Sequence, residues 1–257
     1  MTVTLETANG LATITLARAP AHNALDVATK LSFIQVVTAT VNDPDVRAVL
    51  LRAEGKNFCV GQDLAEHVAG LDADPITAMN TVAEHYNPLI RALKALKVPV
   101  VVAIPGACVG AGLGLALAGD IRIAAESSTF ATAFTGIALA ADSGLSYTLV
   151  EALGSSRASG LMLLGDTVTA AQALDWGLVH RVVPAAELDE KARAVAASLA
   201  SGPTAAYCQV KSLISVSGLD AALDRELVAQ QTLGATADHR AAVDAFLAKK
   251  RPTFTGW

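Results

Sequence analysis

The sequence predicts an α/β core followed by a helical C-terminal part. Strand patterns alternate with helix patterns over residues 1–184, an order that is typical of an α/β fold. Residues 185–257 show only helical periods, which are interrupted at Gly202-Pro203, Gly218 and Thr236. In addition, a buried strand twice runs into a glycine-containing turn and then into a helix. We therefore expect a core over residues 1–184 and a helical part over residues 185–257.

The composition argues against several classes of protein. The 257 residues are 53% hydrophobic, which is enough for a large core, and the net charge of −5 does not favour a nucleic-acid partner. Three cysteines, Cys59, Cys108 and Cys208, follow neither a disulfide pattern nor a metal-ligand pattern. The first residues lack the order of a signal peptide, and no apolar run is long enough to cross a bilayer. We expect a cytoplasmic protein with no metal and no membrane or nucleic-acid partner.

The individual elements are predicted from apolar periodicity and from turn residues. Strands are expected at residues 2–6, 11–16, 46–52, 98–104, 120–124, 127–131 and 179–183. Helices are expected at about 26–42, 81–96, 145–153, 155–164 and 170–176, with a further helix after Gly110.

Local signals refine the first third of the chain. Asn9-Gly10, between two alternating segments, predicts a hairpin, and Asp26 is the expected N-cap of the first helix. The buried face of that helix is assigned by its spacing to Leu31, Ile34, Val37 and Val41. Residues 65–80 are polar and contain Pro75, a pattern that indicates either a mobile loop or a partly ordered helix.

The segment 98–124 organises the rest of the chain. A β-branched run ends at Pro105-Gly106, and Gly110, Gly112 and Gly114 then open an apolar segment of helical length. The unpaired N–H groups at such a helix start suit an anion or a carbonyl oxygen that gains negative charge. The same glycines also suit tight helix packing, and this segment alone leaves both interpretations open.

Several segments, taken in order, resemble the crotonase family, also called the enoyl-CoA hydratase/isomerase family. The matching segments are His22-Asn23-Ala24-Leu25, Phe58 to Leu64, Pro105 to Gly112, Ala118 to Ala124, and Ala245 through Phe254. The resemblance implies a spiral of ββα units, a C-terminal helical part that mediates trimer contacts, and acyl-CoA thioester substrates. It also implies a homotrimer or a hexamer made of two trimers, and no cofactor other than the coenzyme A of the substrate.

The resemblance also assigns roles to individual residues. The main-chain N–H groups of Gln62 and Ala111 would form an oxyanion hole for the thioester oxygen. Contacts with the acyl group or with coenzyme A are implied for Asn23, Ala24, Val60, Gly61, Gln62, Asp63, Leu64, Gly110, Phe134, Lys249 and Lys250. The basic residues 249–251 are equally well explained as a solvated tail.

The chemistry is indicated by a departure from the hydratase pattern. Family hydratases carry two glutamates, and the corresponding positions here are Gly114 and Phe134. Neither side chain moves a proton, whereas hydration needs one group to activate water and another to protonate the α-carbon. The sequence therefore argues against an efficient hydratase.

One acid lies nearby in the sequence. Asp142 matches the single catalytic aspartate of ring-epoxide phenylacetyl-CoA isomerases and of some Δ3,Δ2-enoyl-CoA isomerases, and residues 84–89 and 143–147 also resemble the phenylacetyl-CoA branch. One carboxylate suffices for an isomerase, because the same group takes a proton from one carbon and returns it to another. The alternative is that Asp142 caps the helix that starts near Ser143.

Other functions remain as alternatives. An enoyl-CoA hydratase is one alternative. Another is a non-catalytic acyl-CoA-binding protein that keeps the oxyanion turns without the two glutamates, and Asp142 is the residue that separates this binding protein from an isomerase. His85 could pair with Asp142, as in the dehalogenase branch of the family. A dinucleotide-binding oxidoreductase is disfavoured because Leu115 stands where its third glycine belongs. We therefore expect an acyl-CoA isomerase in which Asp142 carries the proton.

Overall fold

The computed structural model describes all 257 residues, which form nine strands and eleven α-helices. The strands are β1 (Val3–Ala8), β2 (Leu11–Leu16), β3 (Ala48–Ala53), β4 (Val100–Ile104), β5 (Ala107–Val109), β6 (Ile121–Ala125), β7 (Thr129–Ala131), β8 (Val168–Thr169) and β9 (Arg181–Val183). The helices are α1 (Val27–Asn42), α2 (Leu64–Ala73), α3 (Pro75–Ala78), α4 (Asn87–Ala95), α5 (Ala111–Ala118), α6 (Leu145–Leu164), α7 (Ala170–Asp175), α8 (Leu188–Ala200), α9 (Thr204–Ile214), α10 (Leu219–Gly234) and α11 (Ala237–Leu247). None of these helices combines the length and the apolar composition that a bilayer crossing requires.

A six-stranded sheet in the order β1-β2-β3-β4-β6-β9 forms the centre of the fold. The β1–β2 pair is the predicted antiparallel hairpin, whose turn residues Asn9 and Gly10 both have positive φ angles, as a tight hairpin turn requires. The remaining neighbours pair in parallel. Every residue of β2 and β4 is buried, because elements cover both faces of the sheet.

A second, three-stranded sheet in the order β5-β7-β8 lies beside the first. The chain reaches β5 from β4 through Gly106, where a Cβ atom would lie 2.0 Å from the Lys56 carbonyl oxygen. Each of β4 and β6 is thus followed by a short strand of the second sheet and then by a helix. This repetition of ββα units is the architecture that the sequence predicts, and the fold class is confirmed.

The first helix begins as predicted but buries a partly different face. Asp26 caps α1 by accepting a hydrogen bond from the Thr29 N–H, with an Oδ1–N distance of 2.7 Å. Of the residues predicted to be buried, Val37 is buried and Ile34 partly buried, whereas Leu31 (51% exposed) and Val41 (39% exposed) are not, so the predicted face is only partly correct. The residues of α1 that are buried are Thr29, Lys30, Phe33, Val37 and Thr40.

Residues 65–80 form the two helices α2 and α3, so the mobile-loop interpretation is wrong and the helical alternative is correct. The next helix has an irregular start, because residues 82–86 form a π-helical turn before α4. Pro88 in the first turn of α4 has no N–H to donate to the carbonyl of residue 84, which favours the wider turn. The helices predicted at 145–153 and 155–164 are both present, on either side of Gly154, whose φ of 74° and ψ of 162° are not helical; they are numbered together as α6.

The C-terminal helices differ in their relation to the sheet. Helix α8 packs on the sheet through residues spaced by four, and these residues join Leu50 and Val101 in an eleven-residue buried cluster. The contacting residues of α8 are Leu188, Ala192, Ala196 and Ala200. Helices α9, α10 and α11 expose much of their apolar surface. The predicted division at residue 184 therefore falls before a helix that covers the sheet, and the division itself stays a prediction.

The packing of α5 generates a first prediction. A Cβ atom at Gly112 would lie 2.3 Å from the Cys59 carbonyl oxygen, which is main chain and cannot rotate away. Gly112→Ala should therefore lower the free energy of unfolding by about 1–3 kcal/mol, the usual cost of overpacking. Gly160, in α6, has open space around its Cα, so Gly160→Ala should raise that free energy by about 0.5–1 kcal/mol. Urea denaturation of both variants measures the two values, and equal effects would contradict the packing described here.

Candidate active site

Two glycine turns, the first at Gly61 and the second at Gly110, lie side by side, because Cys59 pairs with Cys108 of β5 just before them. In the first turn, Gly61 has a φ angle of +89°, and a Cβ atom there would lie 3.3 Å from the Val109 carbonyl oxygen and 3.5 Å from the Ala111 nitrogen. The Val109 N–H donates to the Cys59 carbonyl oxygen over 3.0 Å, which ties the second turn to the first. A side chain at Gly61 would force the two turns apart, so glycine sets their close approach.

Each turn presents an amide N–H that is free to bind a ligand. The first turn is held by Leu25, whose N–H donates to the Gly61 carbonyl oxygen and whose carbonyl oxygen accepts from the Asp63 N–H. Ala111 is the first residue of α5, where intrahelical acceptors are absent. The Gln62 N–H donates no hydrogen bond to a loop or turn carbonyl oxygen or to a side chain. The same is true of the Ala111 N–H. The two donors are therefore available for an anionic oxygen.

These turns form one wall of a cavity of about 470 Å³. Most of its lining is apolar, as in many small-molecule sites. The predicted site residues that line the cavity are Ala24, Val60, Gly61, Gln62, Asp63, Leu64, Gly110, Ala111, Phe134 and Asp142. A second cavity of about 70 Å³ shares Gln62, Tyr86 and Asp142 with the first and extends towards α2 and α3.

Three predicted site residues do not line either cavity. Lys249 and Lys250 are exposed at the end of α11, and their contact with coenzyme A stays a prediction. Asn23 is buried, and its side chain donates to the carbonyl oxygens of Glu54 (3.0 Å) and Asn57 (2.9 Å). Its Oδ1 atom accepts from the Arg18 N–H over 2.9 Å. In this structure Asn23 holds loops together behind the cavity.

Two carboxyl groups line the larger cavity, and their surroundings differ. The Asp63 carboxylate caps α2 by accepting from the N–H groups of Ala65 and Glu66, and it pairs with Arg18 over 2.7 Å. The Glu66 N–H and then Arg18 hold the pKa of Asp63 below its ordinary value. A carboxylate with so many partners is a weak base. Asp63 therefore serves to fix the first turn.

Asp142 has a different environment. Its carboxylate accepts from the Ser143 hydroxyl over 2.8 Å and caps no helix, because α6 begins after Gly144 without a side-chain cap. Burial among apolar residues raises the pKa of Asp142, whereas the Ser143 hydrogen bond and the positive charge of Lys30 act in the opposite direction. The capping alternative is therefore not observed.

The two positions that carry glutamate in family hydratases provide no acid here. A Cβ atom at Gly114 would lie 2.7 Å from both the Cβ and the carbonyl oxygen of Ser143, so the residue next to Asp142 fills this space. Phe134 contributes an aromatic wall to both cavities. The space where a glutamate at position 114 would begin is thus occupied by the segment that carries Asp142.

A buried polar network lies behind the cavity, and the sequence analysis did not find it. The fully buried Lys30 Nζ donates to Gln62 Oε1 (3.1 Å), Glu66 Oε1 (3.1 Å) and Thr81 Oγ1 (2.8 Å). The Tyr86 hydroxyl also donates to Gln62 Oε1. The sequence did contain a signal for this position. Lys30 precedes Phe33 by three residues and Val37 by seven, so it lies on the same face of α1 as these two buried residues.

His85 does not pair with Asp142. Its Nδ1 atom lies 3.1 Å from Thr81 Oγ1, and it makes no hydrogen bond with the Asp142 carboxylate. The tyrosine that follows is the residue that lines the cavity. Burial, and then the charge of Asp142, raise the pKa of Tyr86, so its hydroxyl stays protonated and acts as a donor.

Comparisons with known proteins place the chain in a family. Residues 6–257 match the family model described as enoyl-CoA hydratase/isomerase. A Rhodobacter capsulatus protein named "Probable enoyl-CoA hydratase" is 39% identical over 261 residues, which cover 99% of this chain and 98% of that protein. The 1,2-epoxyphenylacetyl-CoA isomerase of Escherichia coli is 38% identical over 251 residues, covering 96% and 95% of the two chains.

The solved structures agree with this result. A Mycobacterium abscessus structure, named for the enoyl-CoA hydratase/isomerase family, superposes with a TM-score of 0.98 at 56% identity and covers 99% of this chain and 100% of its own. With the family model spanning nearly the whole sequence, the chain belongs to the enoyl-CoA hydratase/isomerase family. Its relatives carry both hydratase and isomerase names, so the family alone does not select the reaction.

The position of Asn23 generates a second prediction. Asn23→Ala should lower the free energy of unfolding by about 1–3 kcal/mol, because it leaves buried main-chain groups without partners. The affinity for acyl-CoA should change little in the folded fraction. Urea denaturation and calorimetric titration measure the two quantities, with the exposed Asn80→Ala as a control. A large loss of affinity at wild-type stability would instead restore Asn23 as a binding residue.

Proposed function

We propose that this protein is an acyl-CoA isomerase that moves a proton next to a coenzyme A thioester, with Asp142 as its single acid/base. One observation carries the proposal: of the two carboxyl groups that line the larger cavity, Asp142 has no cation or main-chain N–H hydrogen-bonded to its carboxylate, and its pKa is raised. A partly desolvated carboxylate of this kind is suited to take up and return a proton.

The proposed reaction uses the two turns as an oxyanion hole. The Gln62 and Ala111 N–H groups donate to the thioester oxygen, and Asp142 removes a proton from the carbon next to the carbonyl. The negative charge moves onto the oxygen, where each preorganised donor contributes about 2.7–4 kcal/mol in comparable sites. Asp142 then returns the proton to a carbon farther along the conjugated system. No proton, electron or water is consumed, and no cofactor beyond the coenzyme A of the substrate is needed.

Isomerisation is favoured over hydration by the absence of a second proton carrier. Hydration requires one group to activate water and another to protonate the α-carbon. Neither Gly114 nor Phe134 serves this purpose, and Asp63 is engaged with Arg18 and the start of α2. The isomerase name of the Escherichia coli relative is consistent with this reaction.

The acyl group is proposed to enter the smaller cavity. That cavity adjoins Asp142 and is lined by His67, Met79 and Leu139, which come from the segment 65–80 and the loop before α6. Its volume of about 70 Å³ favours a short acyl chain or the edge of a ring. The substrate class is therefore a short 3-enoyl-CoA or a ring-containing acetyl-CoA derivative, such as the ring epoxide of phenylacetyl-CoA in phenylacetate degradation.

A homotrimer, or a hexamer of two trimers, is the proposed assembly. Helices α9, α10 and α11 expose large apolar side chains that a stable monomer would normally cover, including Ile214, Leu219 and Phe246. Contacts between copies would cover this surface. All three cysteines are free, which is consistent with the proposed cytoplasmic location.

The central test compares the wild type with Asp142→Asn on 3-enoyl-CoA, 2-enoyl-CoA and ring-epoxide CoA thioesters. The variant keeps the shape of the side chain but cannot take up a proton, so isomerisation should fall by a factor of 10² or more. Asp166→Asn, which alters an exposed acid, should retain wild-type activity. Efficient hydration of 2-enoyl-CoA by the wild type would contradict the proposal. Binding of acyl-CoA without any turnover would favour the non-catalytic alternative.

The pH profile provides an independent test. Asp142 acts as a base only when it is ionised, so kcat/KM should rise with pH through its raised pKa and then level off. Ser143→Ala removes a hydrogen bond that favours the ionised form, so the pKa should increase and the acid limb should move to higher pH. The profile is measured from about pH 4 to about pH 9, a range that covers the titration of an aspartate whose pKa is raised. An unchanged acid limb in the variant would exclude Asp142 as the base.

A further inference from the structure

The polar network behind the cavity is centred on a lysine whose charge is completely buried. Lys30 is 0% exposed, and burying an ammonium group is costly unless it is paired and hydrogen-bonded. All three of its N–H donors are used, by Gln62 Oε1, Glu66 Oε1 and Thr81 Oγ1. The ring of Tyr86 lies 5.2 Å from Nζ, which adds a cation–π contact. The ammonium group is thus held in one position.

The network also fixes the Gln62 side chain. Gln62 Oε1 accepts from both Lys30 and Tyr86, and Gln62 Nε2 donates to Glu66 Oε1 over 3.1 Å. Turning the amide over would place its NH₂ group against the ammonium group, so a single orientation is possible. Because Gln62 also carries one of the two free N–H groups, its side chain anchors the residue that faces the thioester oxygen.

The same network joins four elements around the cavity. Glu66 Oε2 accepts from the Val27 N–H over 2.6 Å, so the carboxylate joins α2 to the start of α1. Thr81 and Tyr86 belong to the segment that leads into α4, and Gln62 belongs to the first turn. Removal of Lys30 would therefore loosen the cavity wall from the side that faces away from the substrate.

We propose that Lys30 is a positioning residue of the isomerase reaction, which holds Gln62 and Tyr86 in place behind the cavity that Asp142 lines and keeps a fixed positive charge in that network. This inference rests on the proposed function, because it assigns Lys30 a role in that reaction. Lys30 contacts neither cavity and so does not touch the substrate itself.

The electrostatics support this role. The charged and titratable groups around Asp142 are Lys30 and Glu66 in the network, Tyr86 on the shared wall and His67 in the smaller cavity. Lys30 is the group whose positive charge lowers the pKa of Asp142, against the larger effect of burial. Without that charge, less of the Asp142 carboxylate would be ionised at a given pH.

The test uses the full-length protein and three variants. Lys30→Met removes the charge but keeps the length of the side chain, Tyr86→Phe removes one donor to Gln62 without altering the charge, and Lys94→Met alters an exposed lysine as the control. The readouts are Tm, kcat and KM on the best substrate of the panel, and the acid limb of the pH profile.

Lys30→Met should lower kcat about tenfold or more with little change in KM, since small displacements of reacting groups have large effects on rate. Its acid limb should move to higher pH. Tyr86→Phe should lower kcat without moving the acid limb, and Lys94→Met should match the wild type. A Lys30→Met variant with a lower Tm but wild-type kcat and acid limb would overturn the proposal. If Lys30→Met does not fold, an unchanged kcat in Tyr86→Phe would overturn the positioning role.

A substrate-free measurement separates this inference from the proposed function. Infrared difference spectra between each protein and its Asp142→Asn counterpart follow the carboxyl titration of Asp142 directly. In Lys30→Met the titration should occur at higher pH than in the wild type, and an unchanged titration would overturn the charge effect. If the wild type turns over no substrate of the panel, the proposed function fails, while this titration still tests whether the charge of Lys30 acts on Asp142.

Discussion

The contact between the two glycine turns is the constraint on which the rest of the site depends. At Gly112 an added Cβ atom would lie 2.3 Å from the Cys59 carbonyl oxygen, a distance that no side chain permits. At Gly61 it would lie 3.3 Å from the Val109 carbonyl oxygen, and the positive φ angle also favours glycine. The two turns meet because the segment before Gly61 runs parallel to β5, with Cys59 paired to Cys108, before each reaches its glycine. Two residues with free N–H groups, Gln62 and Ala111, then line one cavity. The donors available for an anionic oxygen are thus supplied by the backbone, whereas the side chains of Asp63 and Gln62 hold the first turn in place.

The proposed base, Asp142, lies in an environment that lowers the stability of the folded protein when its carboxyl group is ionised. Burial raises the pKa of its carboxyl group, which means that folding disfavours the ionised form. The folded state therefore gains stability from this group as the pH falls through the raised pKa, and it loses that stability at neutral pH. The Ser143 hydroxyl and the Lys30 charge reduce the penalty without removing it. A carboxylate kept in this intermediate condition suits a group that must both accept and donate a proton.

The parts of the fold that depend on local sequence could be predicted, and the parts that depend on long-range contacts could not. The hairpin at Asn9-Gly10 and the cap at Asp26 follow from turn and capping chemistry within a few residues. The buried face of α1 could be assigned only in part, since Leu31 looks like a core residue and Lys30 does not. The interior position of Lys30 is decided by Glu66 and Thr81, which lie 36 and 51 residues away in the sequence. Periodicity cannot reveal a buried charge whose partners come from other elements.

The candidate site likewise has parts that could be predicted from the sequence and parts that depend on long-range packing. The two turns could be predicted from glycine spacing, because glycine reports directly on main-chain geometry. The family resemblance points to Asp142, which lines the cavity, and its catalytic role stays a prediction. The exclusion of a hydratase side chain at position 114 has a further basis that only the packing reveals. Ser143 occupies the space into which any side chain at Gly114 would extend. The position of Asp142 and the absence of a glutamate at 114 are thus two results of one contact between α5 and the loop before α6. A glutamate at position 114 would displace the segment that holds Asp142, so this backbone accommodates one carboxylate or the other, and the proposed single-base isomerisation is the chemistry that the retained one can perform.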